Sequence, residues 1–326
     1  MRWYKTPDGK PINDHPIYYY MKRIYILLLP AIVFTAAACT KKLTVDMPSL
    51  SIGLDPARRV ADTFVYKLGD TTNFIFTGSA ANIAFYPGDA GRAYDNRNRV
   101  QSLGTATLSF SSKAEFGTQA NTLQLLATNK LTALDSATVV NAGWTDITGR
   151  AALANSATVV SSGTINLTDL VSGANDSLFI AFRYAGVTGS TQRTWTITNF
   201  TVNNVLPDIT YNTASLAADA SYWTRYGNVW NPTNGRWAAT TTQLQVVGGG
   251  ATNPTNTSWI VSKALYLGRV SPDISIGLKS INNPDLTAYP FKYAAAGTYK
   301  ATFVVFNNTV KEQETVVKQF YIKVTP

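Results

Sequence analysis

The sequence predicts an all-β protein with the strand pattern of a sandwich or barrel. Thr, Val, Asn, Gly and aromatic residues are abundant, whereas glutamate occurs only at Glu115, Glu312 and Glu314, so long helices are not expected. Eleven short runs rich in β-branched and aromatic residues recur between turn signals, which is the spacing of sandwiches and barrels. These runs are FVYK (64–67), NFIFT (73–77), NIAFY (82–86), TATLSF (105–110), TLQLL (122–126), SLFIAFRY (177–184), TWTITNFTV (194–202), QLQVV (243–247), SWIVS (258–262), YKATFVVF (299–306) and KQFYIKV (318–324).

The N-terminal part of the chain has the pattern of a lipoprotein export signal. A Lys-Arg pair, an apolar run over 24–34 and three alanines precede Cys39, the only cysteine. The run is interrupted by Pro30 and is shorter than the roughly 20 residues that a bilayer-spanning helix needs. We therefore expect residues 21–38 to be a signal peptide that is cut before Cys39, whose thiol would then carry acyl chains.

The segments on either side of this signal have different expected roles. Residues 1–20 are proline-rich, polar and mixed in charge, so we expect them to be a non-native extension upstream of a start at Met21. The alternative is an unusually long leader, and either version would be removed at the same cut. Residues 39–51 would be the lipid-anchored tether. This interpretation makes the membrane the first partner and places the protein in the cell envelope, at the outer membrane.

After removal of the signal peptide, the chain would have few side chains that could act in catalysis. Removing 38 of the 326 residues leaves 288, lowers the formal charge from +9 to +6 and takes away the single histidine, His15. A Ser-His-Asp or Cys-His arrangement and a zinc site of His or Cys ligands are then excluded. No facing carboxylate pair for glycoside hydrolysis can be named either. We expect no catalytic residue, no cofactor and no metal, and the scattered basic residues predict no nucleic-acid partner.

Three groups of motifs carry a family resemblance. Residues 66–99 resemble the opening of the immunoglobulin-like modules of Bacteroidota surface lipoproteins. Residues 289–308, followed by 318–326, resemble the closing strands of a polycystic-kidney-disease-type β-sandwich. Between them, SLFIAFRYAG, TWTITNFTV and SWIVSKALYL resemble a carbohydrate-binding jelly roll. Together these motifs are similar to an uncharacterised family of Bacteroidota lipoproteins associated with polysaccharide-uptake systems.

The resemblance implies an all-β fold with an immunoglobulin-like β-sandwich plus a jelly-roll β-sandwich, and it implies two further partners. Opening strands would occupy 52–103, the jelly roll 104–270 and closing strands 271–326. If the opening and closing strands share one sandwich, the jelly roll is inserted into it, and three consecutive β units are the alternative. The implied function is non-catalytic carbohydrate binding accessory to polysaccharide capture, with a glycan ligand and an outer-membrane uptake complex as partners. The alternative function is a structural or adhesive contact with another protein.

One aromatic-rich segment is the candidate binding site. Flat rings flanked by amide and guanidinium donors match the apolar faces and hydroxyl edges of a sugar, and a Gly/Pro/Asn-rich segment suits a loop. The alternative is that these rings fill the core, as large aromatic residues mostly do. The predicted ligand-binding residues are Tyr222, Trp223, Arg225, Tyr226, Asn228, Trp230, Arg236 and Trp237.

A second polar segment runs from Tyr86 to Arg99 and combines a Pro-Gly turn with alternating acidic, amide and guanidinium groups. The first interpretation is Asp-Arg pairing that fixes a domain junction. Ligand recognition or calcium coordination is the alternative, although the spaced aspartates of a calcium loop are missing.

Overall fold

The computed structural model describes residues 44–216, 220–227 and 234–326, and β-strands dominate them. Each of the eleven predicted runs forms or overlaps a strand, which confirms the all-β prediction. The strands are β1 (Ser51–Gly53), β2 (Arg59–Val60), β3 (Thr63–Lys67), β4 (Thr72–Thr77), β5 (Asn82–Tyr86), β6 (Thr105–Glu115), β7 (Leu123–Thr128), β8 (Thr145–Asp146), β9 (Val160–Ser161), β10 (Ile165–Asn166), β11 (Ser177–Gly186), β12 (Thr194–Val205), β13 (Thr210–Ser215), β14 (Trp223–Gly227), β15 (Trp237–Ala239), β16 (Gln243–Val246), β17 (Asn256–Ser262), β18 (Leu265–Tyr266), β19 (Ile276–Lys279), β20 (Ala288–Phe291), β21 (Gly297–Asn308) and β22 (Gln313–Thr325).

Helical structure is short wherever it is described. One α-helix, α1, spans Ser136–Asn141. Single 3-10 turns occupy Pro56–Arg58, Tyr94–Asn96, Thr148–Arg150, Thr168–Leu170 and Ala220–Tyr222. Within the described ranges, no helix has the length and apolarity needed to cross a membrane.

Strands from both ends of the described chain build one β-sandwich, the terminal sandwich. Sheet A has the strand order β1-β4-β20, and sheet B has the order β19-β5-β21-β22-β3-β2. β3 and β22 pair in parallel, so the last strand lies beside one of the first. Phe74 of sheet A packs on Phe85 and Phe303 of sheet B, and the centroids of these three rings lie 4.5–5.3 Å apart. Edge and stacked ring contacts of this kind add to the free energy gained by burial.

The strands between these ends build a second sandwich, the central sandwich. Sheet C has the order β10-β6-β12-β16-β15, with β9 beside β6 and β13 beside β12. Sheet D has the order β14-β17-β11-β7-β8, with β18 beside β11. In β11, Ile180 and Phe182 face the core between the sheets, whereas Phe179 and Ala181 face a smaller cluster beneath α1. This run is therefore a central strand that is covered on both faces.

The sheets show how the chain is threaded. Strands within 51–86 and 276–325 share sheets A and B, and strands within 105–266 form sheets C and D. The chain therefore leaves the terminal sandwich after β5, completes the central sandwich and returns at β19. The terms immunoglobulin-like and jelly roll remain predictions for these two sandwiches.

Arg99 connects the outgoing and returning segments. One Nη atom of Arg99 lies 3.3 Å from a carboxylate oxygen of Asp208, in the β12–β13 turn, and 3.3 Å from one of Asp273, on the return. The Asp273 side chain is fully buried and also accepts a hydrogen bond from the backbone N–H of Ala93. Ser102 N–H donates to the Gly268 carbonyl nearby. These contacts agree with the junction interpretation of the polar segment.

Candidate functional site

The described residues of the predicted binding segment meet at one edge of the central sandwich. β14 is the edge strand of sheet D and β15 is the edge strand of sheet C, so the two strands face each other across the rim of the core. A cavity of about 160 Å³ opens between them, and we name it the edge pocket. Its lining residues are Arg225, Tyr226, Gly227, Gly235, Arg236, Trp237 and Ser258.

Three hydrogen bonds from side chains to backbone carbonyls cross this rim. Arg225 Nη1 donates to the Trp237 carbonyl at 3.2 Å, and Trp237 Nε1 donates to the Ser258 carbonyl at 3.4 Å. Asn256 Nδ2 donates to the Gly235 carbonyl at 2.8 Å. Because each bond joins one edge strand or its flank to the opposite sheet, the walls of the pocket are held together.

Glycine is required at two positions of the wall. Gly227 has a φ of +118° and Gly235 a φ of +69°, a region that residues with a Cβ rarely occupy. A Cβ on Gly227 would lie 2.6 Å from the Thr257 carbonyl oxygen, and a Cβ on Gly235 would overlap the Asn256 amide. The backbone can pass close to β17 only because these side chains are missing.

Buried polar atoms at the pocket and next to it have no protein partner in the described ranges. Ser258 is 4% exposed, and its Oγ has no hydrogen-bond partner in the part of the chain that the structure describes. The same holds for Oδ1 of Asn256, which lies beside it on β17. A buried polar group without a partner costs about 1–3 kcal/mol, so such groups need an explanation in a native fold. A bound ligand would supply the missing hydrogen bonds.

The two tryptophans of the segment that the structure describes belong to the core. Trp223 is 9% exposed and Trp237 is 1% exposed. Their rings pack against Phe182, with centroids 6.1 and 6.2 Å from its ring. This is the position that the alternative interpretation of the aromatic cluster predicts, and these rings offer no exposed platform for a sugar. Trp237 still lines the edge pocket, whereas Trp223 lies away from it.

Tyr226 forms one half-buried wall of the edge pocket. Its hydroxyl donates to the Leu134 carbonyl at 2.6 Å, and burial raises the pKa of this phenol above its ordinary value. The hydroxyl is therefore already occupied and the ring packs against the cluster that contains Trp259, so Tyr226 brings no new donor to the cavity.

The remaining predicted residues do not share one location. Tyr222 lines a different cavity, of about 260 Å³, together with Tyr266 and Arg269. Arg225 and Arg236 are exposed and reach the edge pocket. Three predictions concern residues outside the described ranges, namely Cys39, Asn228 and Trp230.

A third cavity, of about 280 Å³, lies near the loops at one end of the central sandwich. Its Arg193 donates to the backbone carbonyls of Gln119 and Asn155, and its Trp195 donates from Nε1 to Thr122 Oγ1 at 2.8 Å. The groups that could recognise a ligand there already bind the protein itself. The edge pocket is the stronger candidate because one of its lining residues, Ser258, has a buried hydroxyl without a partner in the described ranges.

Sequence reasoning missed Ser258 and the glycine positions of the pocket. The run SWIVS by itself predicts only a strand. Whether the hydroxyl of Ser258 finds a partner depends on how the sheets pack together. The Asn-Gly pair at 234–235 was a turn signal that could have been used. Among the described residues, no group of three or more His, Cys, Asp or Glu side chains is placed to hold a metal ion.

The chain was compared with known proteins. The model of a family described as Domain of unknown function (DUF5017) matches residues 38–222. Neither a curated protein nor a solved structure matches the chain. The matched span contains β1–β13, which are the opening strands of the terminal sandwich, most of sheet C and three strands of sheet D. Because the match covers more than half of the 326 residues, the chain belongs to the DUF5017 family, whose domain is of unknown function.

Proposed function

We propose that the protein is a lipid-anchored, non-catalytic component of the cell envelope that binds carbohydrate for capture and delivery to an outer-membrane uptake complex. The observation that carries the binding proposal is the unpartnered Ser258 Oγ in a cavity whose rim holds Arg225 and Arg236. Ligand sites combine an apolar wall with a few polar groups that fix orientation. Tyr226 and the polar atoms of the edge pocket provide this combination for a sugar.

The size of the edge pocket limits the part of a glycan that it can hold. Pockets that enclose a drug-sized ligand have volumes of about 300–1,000 Å³. A cavity of about 160 Å³ is smaller, so it would receive a single ring or one substituent. The rest of a chain would run along the rim of the sandwich. This arrangement favours a terminal or branch sugar of a polysaccharide.

The binding proposal is tested by retardation of the purified chain in gels that contain different polysaccharides. Ser258→Val removes the unpartnered hydroxyl and places two methyl groups on Cβ, and valine suits a strand. Thr257→Val is the matched control because neighbouring side chains of a strand point to opposite faces. We expect Ser258→Val to abolish retardation and Thr257→Val to preserve it. Retardation in none of the polysaccharides, or equal retardation of both variants, would argue against the proposal.

The anchoring proposal rests on the order of residues before Cys39 and has its own test. Cells that express the full chain are labelled with radioactive palmitate and fractionated. We expect label and protein together in the membrane fraction, and Cys39→Ala should lose both the label and the membrane attachment. An unlabelled wild-type chain would contradict this part of the proposal.

A further inference from the structure

We propose that the edge pocket selects an acidic glycan, in which the bound sugar carries a carboxylate or sulfate group. This inference rests on the proposed carbohydrate-binding function and specifies its ligand. The charge of the lining residues is the first observation. Arg225 and Arg236 contribute two guanidinium groups, and no Asp or Glu is among the lining residues of the pocket.

These two arginines also lack the carboxylate partners that four other arginines of the described chain have. Arg58, Arg59, Arg99 and Arg150 each have an aspartate oxygen within 3.4 Å. Neither Arg225 nor Arg236 forms an ion pair with a described residue. Arg225 uses one N–H on the Trp237 carbonyl, and a guanidinium has five such donors. Within the described ranges, most of the donor capacity at the pocket is therefore unused.

The acidic side chain that acts electrostatically on Tyr226 of the pocket wall is occupied elsewhere. Burial, and to a smaller extent the Asp135 carboxylate, raises the pKa of Tyr226, but this carboxylate caps α1. One oxygen accepts from the Thr138 backbone N–H at 2.9 Å and the other from Thr138 Oγ1 at 2.6 Å. Neutralisation of the two guanidinium groups by this carboxylate would require loss of the helix cap.

The buried hydroxyl completes the recognition of an anion. Ser258 lines the same cavity and its buried Oγ has no partner in the described ranges, so an anionic group that reached it could accept from this hydroxyl while it meets a guanidinium at the rim. Arginine recognises carboxylate and sulfate-like oxyanions through two parallel N–H bonds, and such charge-assisted bonds are stronger than neutral ones. A neutral sugar could use the hydroxyl but would leave both charges unpaired.

The test is isothermal titration of the purified full chain with matched glycan pairs. One pair is a polygalacturonate oligomer and the same oligomer with its carboxylates reduced to alcohols. The other pair is a sulfated galactan oligomer and its desulfated form. We expect binding of an acidic member and at least about tenfold weaker binding of its neutral counterpart, since a charged hydrogen bond contributes about 1.5–3 kcal/mol. The pair that responds distinguishes carboxylate from sulfate.

The key variant is Arg236→Gln, because this exposed side chain has no bond within the described fold that its loss would break. It should weaken acidic-glycan binding about tenfold or more, and Arg225→Lys should weaken it as well, since lysine cannot form the two-point contact. The charge control is Lys311→Gln with Lys323→Gln, two exposed positions of the terminal sandwich. This control should bind like the wild type.

The outcomes separate the inference from the proposed function. Equal binding of neutral and acidic members, with Arg236→Gln unaffected, would overturn the acidic preference and leave carbohydrate binding in place. If the lysine control weakened binding as much as Arg236→Gln does, the acidic preference of the edge pocket would also be overturned. The attraction would then come from the overall positive charge of the protein. Failure to bind any glycan would remove both proposals.

Discussion

The phenol of Tyr184 is a buried polar atom that no ligand explains. The side chain is 0% exposed, its hydroxyl has no hydrogen-bond partner in the described chain, and burial raises its pKa to about 12. The hydroxyl is thus held in the core of the central sandwich without compensation. It differs from Ser258 Oγ because it does not line the edge pocket.

We therefore predict that Tyr184→Phe stabilises the fold. The change keeps the ring and removes an unpartnered donor, so the free energy of unfolding should rise by about 1–2 kcal/mol near neutral pH. The effect should grow above pH 10, because an unfolded tyrosine ionises there while the buried one stays protonated until about pH 12. This difference lowers the stability of the wild type as the pH rises. Urea unfolding at pH 7 and pH 10.5 checks both statements, and a destabilised variant would contradict them.

At the scale of elements, strands were predictable and their partners were not. In the run SLFIAFRY, apolar residues occupy both of the alternating faces of a strand, and this pattern is a local property of the sequence. The sequence therefore predicts both the strand and the burial of its two faces. The pairing of β5 with β21, in contrast, joins residues more than 200 positions apart. Register across such a distance depends on which faces remain uncovered after the central sandwich has formed, and no local pattern encodes that.

The pentapeptide SATVV shows the same limit within a single element. It occurs at 136–140 and again at 156–160, but only the first copy lies in a helix, α1. Asp135 precedes the first copy and caps the helix through Thr138. Asn155 precedes the second copy, and Val160 belongs to β9, which pairs with β6. The flanking cap and the neighbouring strand decide the conformation, which is why the repeat carried no information about fold.

The junction around Arg99 supports a prediction about unequal ion pairs. Asp273 is fully buried, whereas the Asp208 side chain is 37% exposed. Removing one partner of a buried pair leaves an uncompensated charge, so Asp273→Ala should lower the free energy of unfolding by about 2–4 kcal/mol. Asp208→Ala should cost only about 0–1 kcal/mol, because water screens an exposed pair. Urea denaturation of both variants measures the difference, and equal effects would mean that Asp273 does not hold the junction.

The candidate site combines what sequence can and cannot provide. Arg225, Tyr226 and Arg236 were predicted because their residue types suit a sugar, and they do line one cavity. Trp223 and Trp237 have the same suitability, but inward positions on edge strands bury them. The sequence states which chemical groups a side chain carries. The exposure of that side chain depends on the face that its strand presents after the sheets have paired.

For the whole molecule, the family match and the physical units have different boundaries. The match ends at residue 222, but the core of the central sandwich also needs side chains from β14–β18, such as Trp237, Leu244 and Ile260. The terminal sandwich likewise needs β19–β22, which supply Phe303 and Ile322. A polypeptide that ends at 222 would leave the apolar faces of both sandwiches in water.

Two fragments test this organisation directly. Fragment 104–270 contains every strand of sheets C and D, so we expect it to fold alone and to unfold cooperatively in urea, as a unit with its own core should. Fragment 44–222 contains most of the matched span but lacks β14–β22, so it should show no cooperative transition by circular dichroism or tryptophan fluorescence. A cooperative transition in fragment 44–222 would show that the matched span is itself the folding unit. Loss of the transition in fragment 104–270 would show that the central sandwich depends on the terminal one.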